Sequence, residues 1–230
     1  MTTRASTLLT DSQRADVERA ITDAEQNTSA QVVLVIASRS GAYDRAEDLF
    51  ALVFALIAIV PTRILWDFLS DRAVAWTNHE PAPMGLVATI SFFALWLILG
   101  ASLATRFPAL AKPFIPRAHA EAEVRRRGLE AFHLARVGHT SRRNGLLIFV
   151  SLYERTAWIS GDEALSRAIP HHDVWVPACN AVTDAFKRRD HAQGLIKAVR
   201  LCAAALAQHF PPDVTSPSAD ELPNHIHFMD

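Results

Sequence analysis

Residues 31–36 read Gln31-Val32-Val33-Leu34-Val35-Ile36, and residues 144–152 read Asn144-Gly145-Leu146-Leu147-Ile148-Phe149-Val150-Ser151-Leu152. Each is a short, nearly continuous apolar run, and that pattern predicts strands buried on both faces. The later run passes through a short reversal at Tyr153–Arg155 into Thr156-Ala157-Trp158-Ile159-Ser160, so residues 145–160 predict a hairpin. The earlier run has no such neighbour. An unpaired buried strand would leave its backbone N–H and C=O groups without partners. The strand at 31–37 is therefore expected to join the hairpin across everything that separates them.

Two apolar blocks lie in between. The first, Leu49–Val60, continues through Pro61 to Leu69 and contains Arg63 and Asp67, four residues apart and able to pair on one helix face. The second, Pro83–Thr105, holds no charged residue. A bilayer core needs about 20 apolar residues, and each strong hydrophobe near the centre favours insertion by about 0.3–0.6 kcal/mol. A core helix of a soluble protein is rarely apolar all round for this length. The blocks predict a transmembrane hairpin over residues 46–106, its first helix near 46–68 and its connection at 70–82. Eight basic residues flank its outer ends (Arg39, Arg45, Arg106, Lys112, Arg117 and Arg125–Arg127), against Arg72 in the connection. The positive-inside rule then puts both termini in the cytoplasm, with the hairpin in the inner membrane of a bacterial-type cell. The first forty residues carry no continuous apolar region followed by a cleavage site, so no secretory signal is expected there.

The chain has 230 residues, of which 50% are hydrophobic and 20% charged, with a formal net charge of -1. Nothing supplies the positive field of a nucleic-acid binder, and the apolar content argues against intrinsic disorder. Two cysteines exclude a disulfide framework and a four-thiolate zinc site.

Helices are expected at 10–27, where Thr10 and Gln13 have capping-box spacing, and at 118–137. A short one follows Gly161-Asp162 to about 169. Another, capped by Asp173, carries Trp175, Ala178, Val182 and Phe186, and a last one spans 191–208. Residues 211–230 contain four prolines and no packing stripe, which predicts a disordered tail. The reading is an α/β fold: a small central sheet flanked by helices, interrupted by a two-helix transmembrane hairpin. Residues 1–45 and 107–210 form its two parts.

These residues resemble the TPM domain family. The resemblance rests on the Ala30–Ile36 strand, the Asn144–Leu152 strand with Glu154-Arg155 after it, and Phe186-Lys187-Arg188-Arg189-Asp190 with Gly194-Leu195 at a late helix-to-helix turn. It covers roughly residues 10–40 and 128–210. It implies a small α/β domain, found in many bacterial membrane proteins. Some relatives are associated with phosphatase activity and calcium. Only Gly161 stands where the family often carries a glycine-rich stretch, and the hairpin falls where soluble relatives have an uninterrupted helix.

Candidate chemistry is sparse. Asp162, Glu163 and Asp190 are expected to bring carboxylates near the strand ends; Asp162 and Asp190 are the catalytic candidates, which would work with a divalent cation. No loop alternates acidic residues as calcium sites do. Arg142, Arg143 and Asn144 form a basic turn able to contact a phosphate or a partner. His171-His172-Asp173 and the set His225, His227 and Asp230 lack regular metal-ligand spacing. Arg125, Arg126 and Arg127 could meet anionic lipid heads, and Cys179 and Cys202 read as small core residues. No phosphate-binding glycine loop, Gly-x-Ser-x-Gly elbow or HExxH motif is present. The expected role is a non-catalytic interaction or regulatory module. Its partners would be the lipid bilayer and a membrane protein, without a cofactor and without nucleic acid. The alternative is a metal-assisted phosphatase.

Overall fold

The computed structural model describes residues 4–77, 84–212, 222 and 224–230. The chain falls into two units, one spanning Ala42–Pro116 and the other joining Thr2–Gly41 to Arg117–Asp230.

The second unit is built on the strands expected from the sequence. β1 (Gln31–Ala37) pairs in parallel with β2 (Gly145–Ser151) along its whole length, from Gln31 opposite Gly145 to Ala37 opposite Ser151. β2 turns into β3 (Thr156–Gly161) and pairs with it antiparallel, Ile148 facing Ile159. All seven residues of β1 and of β2 are buried, as the unbroken apolar runs require.

Side chains alternate across the sheet with period two. Val32, Leu34, Ile36, Leu146, Ile148 and Val150 face one core with Val17, Ile21, Leu195, Val199 and Leu206. These partners come from α1 (Asp11–Gln26) and α7 (His191–His209); Ala178 and Val182 of α6 (Val176–Arg188) lie in the same core. Val33, Val35, Leu147 and Phe149 face the other core, which α4 (Arg117–Leu134) covers with Val124 and Ala131. α1 starts on a full capping box: Thr10 Oγ1 accepts from the Gln13 backbone N–H at 3.3 Å, and Gln13 Oε1 accepts from the Thr10 N–H at 3.0 Å.

Glycines permit close approach on both faces. A Cβ on Gly128 of α4 would fall 2.3 Å from the Trp158 ring of β3, and one on Gly194 of α7 would fall 2.1 Å from Ala185 Cβ of α6.

Two expectations are corrected. The tail does not lack structure throughout: β4 (His227–Met229) pairs in parallel with β1, Ile36 facing Phe228, and gives the sheet the order β3-β2-β1-β4. The physical reason is that β1 offers an edge of unsatisfied backbone groups, which a three-residue strand can fill without an apolar run of its own. Asp173 does not cap α6. It lies in a 3-10 turn, His172–Trp175, and α6 follows directly with Pro177 in its first turn. The short helix after Asp162 is α5 (Glu163–Ala168).

The first unit contains α2 (Asp44–Thr77) and α3 (Leu86–Arg106). Both are long and apolar enough to cross a membrane. α2 outruns the apolar block at its C-terminal end and carries Pro61 inside it, beside Thr62, whose hydroxyl donates to the Ala58 carbonyl at 2.8 Å. The helices meet where Gly100 lets α3 approach the Ala51 backbone and where Trp96 Nε1 donates to Thr62 Oγ1 at 2.8 Å. Arg63 pairs with Asp67 at 3.1 Å, as their spacing predicts. Ile57, Ile64 and Ile98 are each more than 60% exposed, so this unit turns large apolar side chains outward, which water disfavours and lipid does not.

Candidate functional site

The polar groups of the α/β unit gather in three places. The first is the end of the sheet where β1 and β2 begin. Asn144 is buried, and its Nδ2 donates to the Ser29 carbonyl at 2.6 Å while its backbone N–H donates to Thr140 Oγ1 at 3.1 Å. Asn144 thus ties the start of β2 to the loop before β1, and its amide is engaged by the fold itself. Arg143 sits in the left-handed region at φ 50° and reaches Glu163 at 2.8 Å. Glu163 also holds Arg167 one turn on. Asp162 stands between these groups and Gly138, with Oδ1 near the glycine and Oδ2 buried without a hydrogen bond. The structure therefore brings Arg143, Asn144, Asp162 and Glu163 into one neighbourhood.

Asp190 stands elsewhere. It lies between α6 and α7 on the lip of a cleft also lined by Arg188, Gln193, Lys197 and Arg200. The two carboxylates chosen from the sequence thus occupy different elements.

The third place escaped the sequence reading. At the other end of the sheet, Ser40 Oγ and Ser151 Oγ bond each other at 2.7 Å, both buried. Glu154 accepts from Ser151 Oγ and from the Ser40 N–H. Close by in sequence, Ser38 donates to Asp230 Oδ1 at 2.6 Å. The same oxygen accepts from the Ala5 N–H at 2.7 Å, and Asp230 Oδ2 accepts from Ser6 Oγ at 2.6 Å. Bonds from Ser38 and Ser6 hold the Asp230 carboxyl down at about 2. Isolated serines give no sequence signal; only the pairing of β1 with β2 and β4 brings them together.

The remaining candidates resolve locally. On α4, Arg126 bonds Glu123 and Glu130, and Arg127 bonds Glu130. The rings of His225 and His227 lie 4.5 Å apart, and burial, with His225 beside it, pushes the His227 imidazole down. Burial pushes the Cys179 thiol up to about 11 and raises Cys202 as well, which suppresses the reactive thiolate.

Calcium takes six to eight oxygen ligands. Around Asp162 the neighbouring carboxylate, Glu163, is already held by two guanidinium groups. No group of three or more His, Cys, Asp or Glu that could hold an ion occurs among the described residues.

The family model described as the TPM domain matches residues 114–205, which take in α4, β2, β3, α5, α6 and most of α7. Over that segment the chain is similar to the TPM domain family. The match begins after β1, so the resemblance read over residues 10–40 lies outside it. The NMR structure of BA42 protein from the psychrophilic bacterium Bizionia argentinensis is similar in fold, with a TM-score of 0.54 at 20% identity over 95% of this chain and 94% of that one. No curated protein matches.

Proposed function

We propose that the chain is a membrane-tethered TPM domain that acts as an interaction or regulatory module, anchored by α2 and α3 in the inner membrane with both termini in the cytoplasm. The observation that carries this reading is the seven-residue register between β1 and β2. The sheet is completed from chain on both sides of the two apolar helices, so the domain's two parts belong to one side of a hairpin. The outward-facing isoleucines and leucines of α2 and α3 supply the surface that lipid would cover. Basic residues outside the hairpin favour the cytoplasmic side. The partner is the bilayer together with a membrane protein docked on the domain. The bonding of Asn144 and Glu163 within the fold supports a structural rather than a chemical role for the start of β2.

Fractionation tests the tether. Wild type should sediment with membranes and resist carbonate extraction, and protease added to intact spheroplasts should leave the domain uncut. Ile98→Arg, at a cost of roughly 2.5–3.5 kcal/mol for a cation at a helix centre, should shift protein out of the membrane fraction. A wild-type chain that stays in the supernatant would refute the anchor. The module reading fails if the purified chain hydrolyses phosphomonoesters with calcium or magnesium and loses that activity on Asp162→Ala or Asp190→Ala.

A further inference from the structure

We infer that the cleft between α6 and α7 binds a phosphate group, either free in solution or on a lipid head. The inference goes beyond the tether and does not rest on it.

The cleft exists because α6 and α7 approach closely. The turn between them is two residues long, with Arg189 in the left-handed region at φ 59° and the Asp190 N–H bonded back to the Ala185 carbonyl. Gly194 then sits against Ala185, so the two backbones run together and the long side chains beside them stand around a cleft of about 280 Å³. That is the size of a small ligand site rather than of a deep cofactor pocket.

Its rim is cationic. Arg188 comes from the last turn of α6, and Lys197 and Arg200 come from one face of α7, three residues apart, with Gln193 a turn earlier on the same face. Like charges at that helical spacing oppose helix formation. None of the three cations has an ion pair among the described residues, and Asp184, on the same stretch of α6, is bonded to Lys187 at 2.9 Å. Asp190, the carboxylate of the cleft, makes no capping bond to the first turn of α7, which borders the site. Three cations and an amide therefore face the Asp190 carboxylate across a small concavity, with Asp184, held by Lys187, near enough for Arg188 and Lys197 to lower its carboxyl as well. This composition suits a compact oxyanion, because guanidinium and ammonium donors can share its oxygens and an uncapped helix start adds positive potential. A divalent cation would meet the opposite field.

The test uses the full chain and one readout, the rate at which Lys197 is acetylated, followed by mass spectrometry. One arm holds the chain in a neutral detergent and titrates inorganic phosphate. The other compares the chain in phosphatidylcholine vesicles with the chain in phosphatidylcholine–phosphatidylglycerol vesicles. Saturable protection by inorganic phosphate assigns a soluble ligand; protection confined to the phosphatidylglycerol vesicles assigns a lipid head. In either arm Arg200→Gln, an exposed substitution, should weaken protection roughly tenfold or more, the effect of losing one charged hydrogen bond. Asp190→Asn should strengthen it by removing the opposing charge. Absence of protection in both arms overturns the site. Protection that survives Arg188→Gln and Arg200→Gln together, in chains whose melting matches wild type, overturns it equally.

Discussion

Replacing Asn144 by alanine should loosen the join between the two parts of the sheet. The side chain is buried, and its amide is bonded to the Ser29 carbonyl at 2.6 Å. Alanine leaves that carbonyl without its donor, and an unsatisfied buried group costs about 1–3 kcal/mol. For a chain of this size, each kcal/mol lowers the melting temperature by roughly 2–4 °C, so the expected loss is about 2–12 °C. Asn144→Asp should be worse than alanine, because a carboxylate oxygen would face the carbonyl oxygen where an N–H now points. The assay is thermal unfolding of the full chain in neutral detergent, followed by far-ultraviolet circular dichroism. A loss below about 0.5 kcal/mol, the size of an ordinary surface substitution, would refute the reasoning, as would an Asn144→Asp variant as stable as wild type. Either result would return Asn144 to the ligand-contact role that its position beside Arg142 and Arg143 suggests.

Gly128→Ala should destabilise the chain despite alanine's advantage of about 1 kcal/mol inside a helix, since the new methyl meets the Trp158 ring at 2.3 Å and overpacking costs about 1–3 kcal/mol; denaturant unfolding of Gly128→Ala against Gly128→Ala with Trp158→Leu checks it, the second change relieving the first. The Asp230 carboxyl should titrate near 2 by carbon NMR. Because its folded value is lowered, its stabilising contribution is complete above the ordinary carboxylate range and is lost as pH falls toward about 2, so β4 should detach in acid before the rest of the sheet, and Asp230→Asn should abolish that pH dependence. Cys202 should resist thiol reagents at neutral pH until the chain is unfolded, and Cys179 should react slowly, in line with burial raising both thiols; equal fast labelling of the folded chain would contradict the packing of α6 and α7.

The strands and their faces were legible because a buried strand advertises itself: the runs at Val32–Ile36 and Leu146–Val150 admit few other readings, and backbone hydrogen bonding demands that they pair. The capping box of α1 and the Arg63–Asp67 pair were legible for a similar reason, since both depend only on spacing along one helix. β4 was not. His227-Phe228-Met229 carries no pattern of its own, and its place is decided by the open edge of β1 and the serines that receive Asp230. Nor was the full extent of α2, because helical hydrogen bonding continues past the apolar residues that signal a span. Asp162 and Asp190 were expected near the strand ends, but Asp190 lies between α6 and α7 and sits among cations only once Gly194 has let those helices close together.

β1 leaves the ribosome long before its partner: residues 38–144, including both α2 and α3, must be made before β2 begins. At roughly 5–20 residues per second of synthesis, a wholly buried heptapeptide waits about 5–20 s with both edges bare. Delivery of the nascent chain to the bilayer during that interval would keep such a strand away from other chains, so slowing insertion should raise aggregation even when the finished protein is stable.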